Sequence, residues 1–159
     1  MLVAVVSDTH RISRYIEVVK EKIKNADVLI HLGDNVDDFK ELSKDFSGEA
    51  YAVVGNCDYS NEYPVERVIE LNSIKILATH GHAYNVKYGL NNLYYRAQEL
   101  GVDIALFGHT HQELIIEEGG ITLMNPGSAS LPRGIRGRHI GFIEINDKKE
   151  PYVYLESIE

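Results

Sequence analysis

The sequence predicts an α/β fold whose sheet begins parallel and later becomes mixed. Two observations carry this reading. In the first third of the chain, unbroken apolar runs rich in Val, Ile and Leu alternate with a segment of helical periodicity, giving a βαβαβ opening. In the last third, short strand-like runs are joined by Gly, Pro and Asn-Asp turns, with no further helical pattern between them.

Leu2 to Val6 reads as a strand covered on both faces, because its apolar run is continuous and not alternating. Ile12, Ile16, Val19, Ile23 and Ala26 recur at helical spacing, with Ser13 placed to cap the helix. Val28 to Leu32 repeats the strand pattern, Val36 to Lys44 reads as a second helix, and Tyr51 to Val54 as a third strand. Arg67 to Leu71 and Lys75 to Thr79, separated by the turn formers Asn72 and Ser73, read as a hairpin. Leu90, Leu93, Tyr94, Ala97 and Leu100 mark a helix closed by Gly101, and Ile104 to Phe107 a buried strand. Glu113 to Glu117, Ile121 to Met124, Ile140 to Ile145 and Tyr152 to Leu155 complete the strands.

With 159 residues and 44% hydrophobic content, the chain is expected to form one domain, residues 1–159, around a sizeable core. No apolar run approaches the ~18 residues of a membrane span, and Leu2 to Val6 is too short and lacks the basic flank of a signal peptide. A single cysteine, Cys57, excludes an internal disulfide, and a cytoplasmic protein is expected. The formal charge of -8 argues against general nucleic-acid binding, which needs Lys and Arg to neutralise phosphates. The expected partner is a small molecule, with no membrane; a homodimer is the base-rate expectation.

The chemistry lies where the apolar strands stop. They end at Asp8 and His10, at Asp34, at Asn56, at His80, and at His109 and His111. In open α/β sheets the ligand crevice lies beyond the carboxyl ends of the strands, so these endings converge. Gly33, Gly55 and Gly108 precede three of them and allow close backbone approach. Asp8 and His10, like His109 and His111, are spaced i, i+2, so an extended backbone would point both members the same way. Two carboxylates, an amide and four imidazoles suit Mn, Fe, Co, Ni or Zn better than Ca. Seven donors exceed the needs of one catalytic ion and suit two that share a carboxylate.

Asp8-Thr9-His10, Gly33-Asp34-Asn35, Gly55-Asn56-Cys57-Asp58, His80-Gly81-His82 and Gly108-His109-Thr110-His111 together resemble the ordered signature of the calcineurin-like metallophosphoesterases. With Met124 to Ser128, the chain is similar to their small archaeal and bacterial phosphodiesterase branch. The resemblance implies two mixed sheets packed as a sandwich flanked by helices. It places Asp8, His10 and His111 on one metal ion, Asn56, His80 and His109 on another, and Asp34 between them. It implies a phosphodiesterase with two divalent ions per chain, Mn foremost, in which a hydroxide bridging the ions attacks phosphorus without a covalent phosphoenzyme. Asp34, Asn56 and His80 are then the side chains at the reacting centre, and Cys57, His82 and Arg133 the candidate substrate contacts. Many family members carry His where this chain has Cys57, and that His assists the leaving group; a thiol is a poor replacement.

Several residues read otherwise. His31 within a strand and His139 near a basic loop are structural or surface histidines, and Asp58 orients a neighbour. Asn125 to Ser128 is first a turn. Arg136 and Arg138 join Arg133 as loop arginines that could hold a phosphate. Tyr59 and Tyr63 could line a substrate pocket, whereas most other tyrosines pack. The alternative to the enzyme is a non-catalytic scaffold, since the retromer scaffold subunit also resembles this chain around His80 to His82 and Asn125 to Ser128. That protein's site lacks ligands present here, notably an imidazole where His80 stands.

Overall fold

The computed structural model describes residues 1–147 and 150–159. Strand β1 (Leu2–Val6) pairs in parallel with β2 (Val28–His31), which pairs in parallel with β3 (Glu49–Ala52). Helices α1 (Ser13–Ile23) and α2 (Val36–Lys44) are the crossovers. The chain then builds a second sheet from β4 (Glu66–Leu71), β5 (Ile74–Thr79), β6 (Ile104–Leu106), β7 (Glu113–Glu118) and β8 (Ile121–Pro126), with α3 (Asn91–Leu100) between β5 and β6. It returns through β9 (His139–Glu144) and β10 (Tyr152–Ser157), which add antiparallel to the other side of β1. The sheets run β10-β9-β1-β2-β3 and β4-β5-β6-β8-β7, both mixed. The mixed sandwich flanked by helices is therefore present.

Burial explains the unbroken apolar runs. Val3, Val5, Ile30 and Leu32 face Ile76, Ala78, Leu106 and Met124 in the layer between the sheets. Ala4, Val6 and Leu29, on the opposite face, meet Ile16, Val19 and Ile23 of α1 and Phe39 and Leu42 of α2. Leu77, Ala105 and Leu123 of the second sheet likewise pack on Leu93 and Ala97 of α3. Both faces of each sheet are thus covered, and alternation would leave polar groups in a core.

Local chemistry sets the turns. Asn72 and Ser73 form a two-residue hairpin loop with both φ positive, 47° and 70°, whose twist matches that of the flanking strands. Helix α3 closes with Gly101 at φ 64°, its N–H bonding to Gln98 O and the N–H of Val102 to Ala97 O, both of them carbonyls of the last turn.

Some boundaries differ from expectation. Ser13 is the first helical residue of α1 and makes no side-chain cap bond; Ile12 holds the cap position. Helix α1 ends at Ile23, and Ala26 packs beneath it from the following loop. The third strand covers Glu49–Ala52 and not Tyr51 to Val54, because its pairing with β2 starts at Val28↔Glu49. Asn125 is not in a turn but lies inside β8, opposite Leu114. Among the described residues, no helix is long and apolar enough to cross a membrane.

Candidate metal centre

Main-chain bonds draw the strand ends together. The N–H of Asp8 donates to Gly33 O (3.1 Å), joining the ends of β1 and β2, and the N–H of Gly108 donates to His80 O (2.9 Å), joining those of β5 and β6. Two bonds then link one sheet to the other: His80 Nδ1 with Leu32 O (2.8 Å) and the N–H of His109 with Asp8 Oδ2 (3.2 Å). Glycine is required where these loops touch. A Cβ on Gly55 would lie 2.1 Å from Asp34 Oδ1, and one on Gly108 would lie 2.1 Å from Ser7 Oγ.

The backbone that presents the donors is left-handed, not extended as the i, i+2 spacing suggested. Asp8 (φ 54°), His10 (49°), Asp34 (56°), His109 (68°) and His111 (58°) all have positive φ. Asp and His tolerate this region better than most residues, yet each instance costs on the order of 1 kcal/mol or more. The surrounding loops enforce it. The Asp58 carboxylate accepts from the N–H groups of Asp34, Asn35, Val36 and Gly55 at 2.8–2.9 Å. Asn125 Nδ2 donates to Gly108 O and Thr110 Oγ1, and the hydroxyls of Ser128 and Ser130 both donate to Asp8 O. Asn125 to Ser130 is thus a strap behind the ligand loops. In the sequence Asn125 to Ser128 reads as a turn and as part of the family resemblance, not as a support for the ligand loops.

Two groups of donors result. Asp8, His10, Asp34 and His111 offer ligand atoms within 4.8 Å of one another, as do Asp34, His80 and His109. Asp34 belongs to both. Two of the histidines are held with Nε2 inward: His80 Nδ1 donates to Leu32 O and His111 Nδ1 to Leu131 O, both at 2.8 Å, which leaves a lone pair on each Nε2. Those lone pairs point at acceptors. His111 Nε2 lies 3.0 Å from Asp8 Oδ1 and 3.2 Å from His10 Nε2, and His80 Nε2 lies 3.3 Å from Asp34 Oδ1. Asp8 Oδ1 and His80 Nε2 are buried without a hydrogen-bond partner. Converging acceptors need cations between them, and carboxylate with imidazole is a donor set for divalent transition ions. The residues therefore fit the metals that the sequence implied.

The electrostatics agree. Burial would raise the pKa of Asp8, but the imidazoles of His10, His111 and His80 gathered around it outweigh that and hold the carboxyl far below its usual range. The neighbouring Asp8 carboxylate, 3.7 Å away, raises His10; burial opposes a proton on His80, yet Asp34 and Asp8 raise it overall. Burial, then the charge of His80, pushes His109 down to about 4. The carboxylate field that raises His10 and His80 favours positive charge at this point, and would equally favour a metal cation there.

The other expected residues lie around this cluster. Asn56 is exposed, in the loop that wraps Asp34, with its amide nitrogen 3.7 Å from Cys57 Sγ. The N–H of Cys57 donates to Asp34 Oδ1 (3.1 Å), and burial, then the charge of Asp34, raises its thiol pKa and keeps it protonated. His82, on a short 3-10 turn (His82–Tyr84), has its ring 5.5 Å from that of His80 and 6.2 Å from that of His109. Burial, then His80, lowers its pKa. Arg133 is exposed and touches the centre only through its main chain, whose N–H donates to His111 O. Arg138 is committed elsewhere, to Ser130 O, Glu159 and the face of Tyr15. His31 is buried between Thr9 Oγ1 and the N–H of Gly33, a structural role, and His139 lies against Gly137 O. Arg11, which the sequence reading passed over, flanks His10 and bonds Asn35 Oδ1 through Nε (3.0 Å). Its place immediately after a ligand was the available signal.

A sandwich with donors gathered at its strand ends defines a metal-dependent hydrolytic class. Residues 1–148 match the family model of the calcineurin-like phosphoesterase superfamily domain. The probable metallophosphoesterase YsnB of Bacillus subtilis is 38% identical over 135 residues, covering 84% of this chain and 78% of that protein. A crystal structure of a predicted phosphoesterase from Streptococcus pneumoniae is 34% identical with TM-score 0.83, over 99% of this chain and 89% of the other. A single mutant of Vps29 from Entamoeba histolytica also has TM-score 0.83, at 26% identity, over 98% and 91%. The chain belongs to the calcineurin-like phosphoesterase superfamily and is by family a metallophosphoesterase.

Proposed function

We propose that the chain is a phosphodiesterase that binds two divalent ions, Mn²⁺ foremost, with Ni²⁺, Fe²⁺, Co²⁺ or Zn²⁺ able to replace it. The single observation that carries this is Asp34, a carboxylate common to both donor groups. Asp8, His10 and His111 would hold one ion and His80, His109 and Asn56 the other, with the Asp34 carboxylate available to both. When bound, such a pair acidifies water and neutralises a phosphate near it. The chain's own residues fix the geometry: the carbonyls of Leu32 and Leu131 orient His80 and His111, while the N–H of Cys57 steadies Asp34. Water adds its oxygen to phosphorus as the bond to the departing alcohol breaks, and that alcohol gains a proton. Cys57, a neutral thiol beside Asp34, can donate only a weak hydrogen bond there. His82, after β5, and the Arg133 loop, which joins β8 to β9, border the centre.

The test is hydrolysis of bis(p-nitrophenyl) phosphate by chelator-stripped protein before and after Mn²⁺. Turnover should require the metal and fall at least a hundredfold in Asp34→Asn. Absence of turnover with Mn²⁺, Ni²⁺, Co²⁺ and Zn²⁺ alike would favour the second reading, an interaction scaffold, which the likeness to Vps29 supports. Against it stand the buried imidazoles of His80 and His111, each turned by a main-chain carbonyl toward a carboxylate, an arrangement costly to keep for binding alone.

A further inference from the structure

The donor cluster opens on a hollow of about 160 Å³ bordered by His10, Arg11, Asn35 and Cys57. Arg11, Asn35 and Cys57 also border a second, larger hollow of about 350 Å³ that runs on toward Lys40, Tyr59 and Asn61. The two hollows adjoin across these three shared residues, so together they form a groove that starts at His10 and leads toward Tyr59. Its charges are largely spent: Arg11 pairs with Asp37, Lys40 with Glu62, and Asp58 takes four main-chain N–H groups. Little net charge is left to select an ionic group. Tyr59, by contrast, is fully exposed, with a ring that meets no other aromatic among the described residues, whereas Tyr63 packs edge-on against Phe39 at 5.4 Å. The volume suits one small organic group and not a polymer.

We propose that this groove is the subsite for one ester group of the substrate, with Tyr59 stacking on a planar aromatic group of aryl or nucleoside type and Arg11 at its neck. The inference rests on the phosphodiesterase reading and narrows its substrate class. Stacking of a planar group on an aromatic side chain is sequence-tolerant and is lost on substitution by alanine.

Mn²⁺-loaded wild type, Tyr59→Ala and Tyr59→Phe are compared on bis(p-nitrophenyl) phosphate, and by calorimetric titration with adenosine 5′-monophosphate and with inorganic phosphate. Tyr59→Ala should raise KM and the nucleotide Kd about tenfold with kcat little changed. Tyr59→Phe should restore both, and inorganic phosphate should bind all three proteins equally. An effect on the diester alone identifies an aryl occupant, and one on the nucleotide alone a nucleoside. Turnover with no dependence of KM or Kd on Tyr59 overturns the groove assignment and leaves the enzyme standing. Tyr59-dependent nucleotide binding without turnover does the reverse. A loss of phosphate binding in Tyr59→Ala would mean that the substitution disturbs the centre, and would also overturn the assignment.

Discussion

Buried His31 has no exposure and sits with both ring nitrogens occupied, accepting from the N–H of Gly33 and donating to Thr9 Oγ1. Burial pushes its pKa down to about 4 from 6.5. Above pH 6.5 the ring is neutral in both folded and unfolded chains, so it adds no pH dependence. Between 6.5 and about 4 the unfolded chain takes up a proton that the folded one refuses, so stability falls with falling pH, by on the order of 3 kcal/mol in all. Denaturant titrations of chelator-stripped protein should show that loss in wild type and a shallower one in His31→Gln. Equal slopes would mean that the ring can be charged where it lies. The assignment of His31 to structure was available from its place inside an apolar strand. The left-handed backbone at Asp8, His10, His109 and His111 was not, since spacing records which residues share a loop but not how the loop is wound.

At the scale of elements, the carboxylate of Asp58 unites the start of α2 with the loop after β3. Asp58→Ala leaves four N–H groups in search of partners and should destabilise the protein by about 3 kcal/mol. It should also weaken Mn²⁺ binding, because Asp34 lies on the β2–α2 loop that Asp58 holds; an unchanged melting temperature and metal affinity would show that water replaces the carboxylate freely. Helices and central strands were legible from apolar periodicity, which burial on both faces imposes directly. The ends of β3 were less so: its register is set by pairing with β2, and Glu49 and Ala50 carry no pattern of their own. The strap from Asn125 to Ser130 was hidden for a similar reason, because its side chains act on loops far away in sequence.

For the whole molecule, a ligand that binds only the folded state stabilises it by mass action. Mn²⁺ at about a hundred times its dissociation constant should raise the melting temperature of stripped protein by about 5–10 °C, an increase that Asp34→Asn should largely remove. The family and its sandwich were readable from five short motifs spread along the chain, while the metal's identity is left to cellular supply by a donor set that accepts several ions. The donors come from both halves of the sandwich: Asp8, His10 and Asp34 follow strands of one sheet, while His80, His109 and His111 follow strands of the other. A chain whose sheets have formed but not yet docked holds two incomplete half-sites. Hydrolytic competence would then arrive only with the final closure of the core, so the catalyst inspects its own assembly, and a newly made copy caught half-built would be silent and not indiscriminately active.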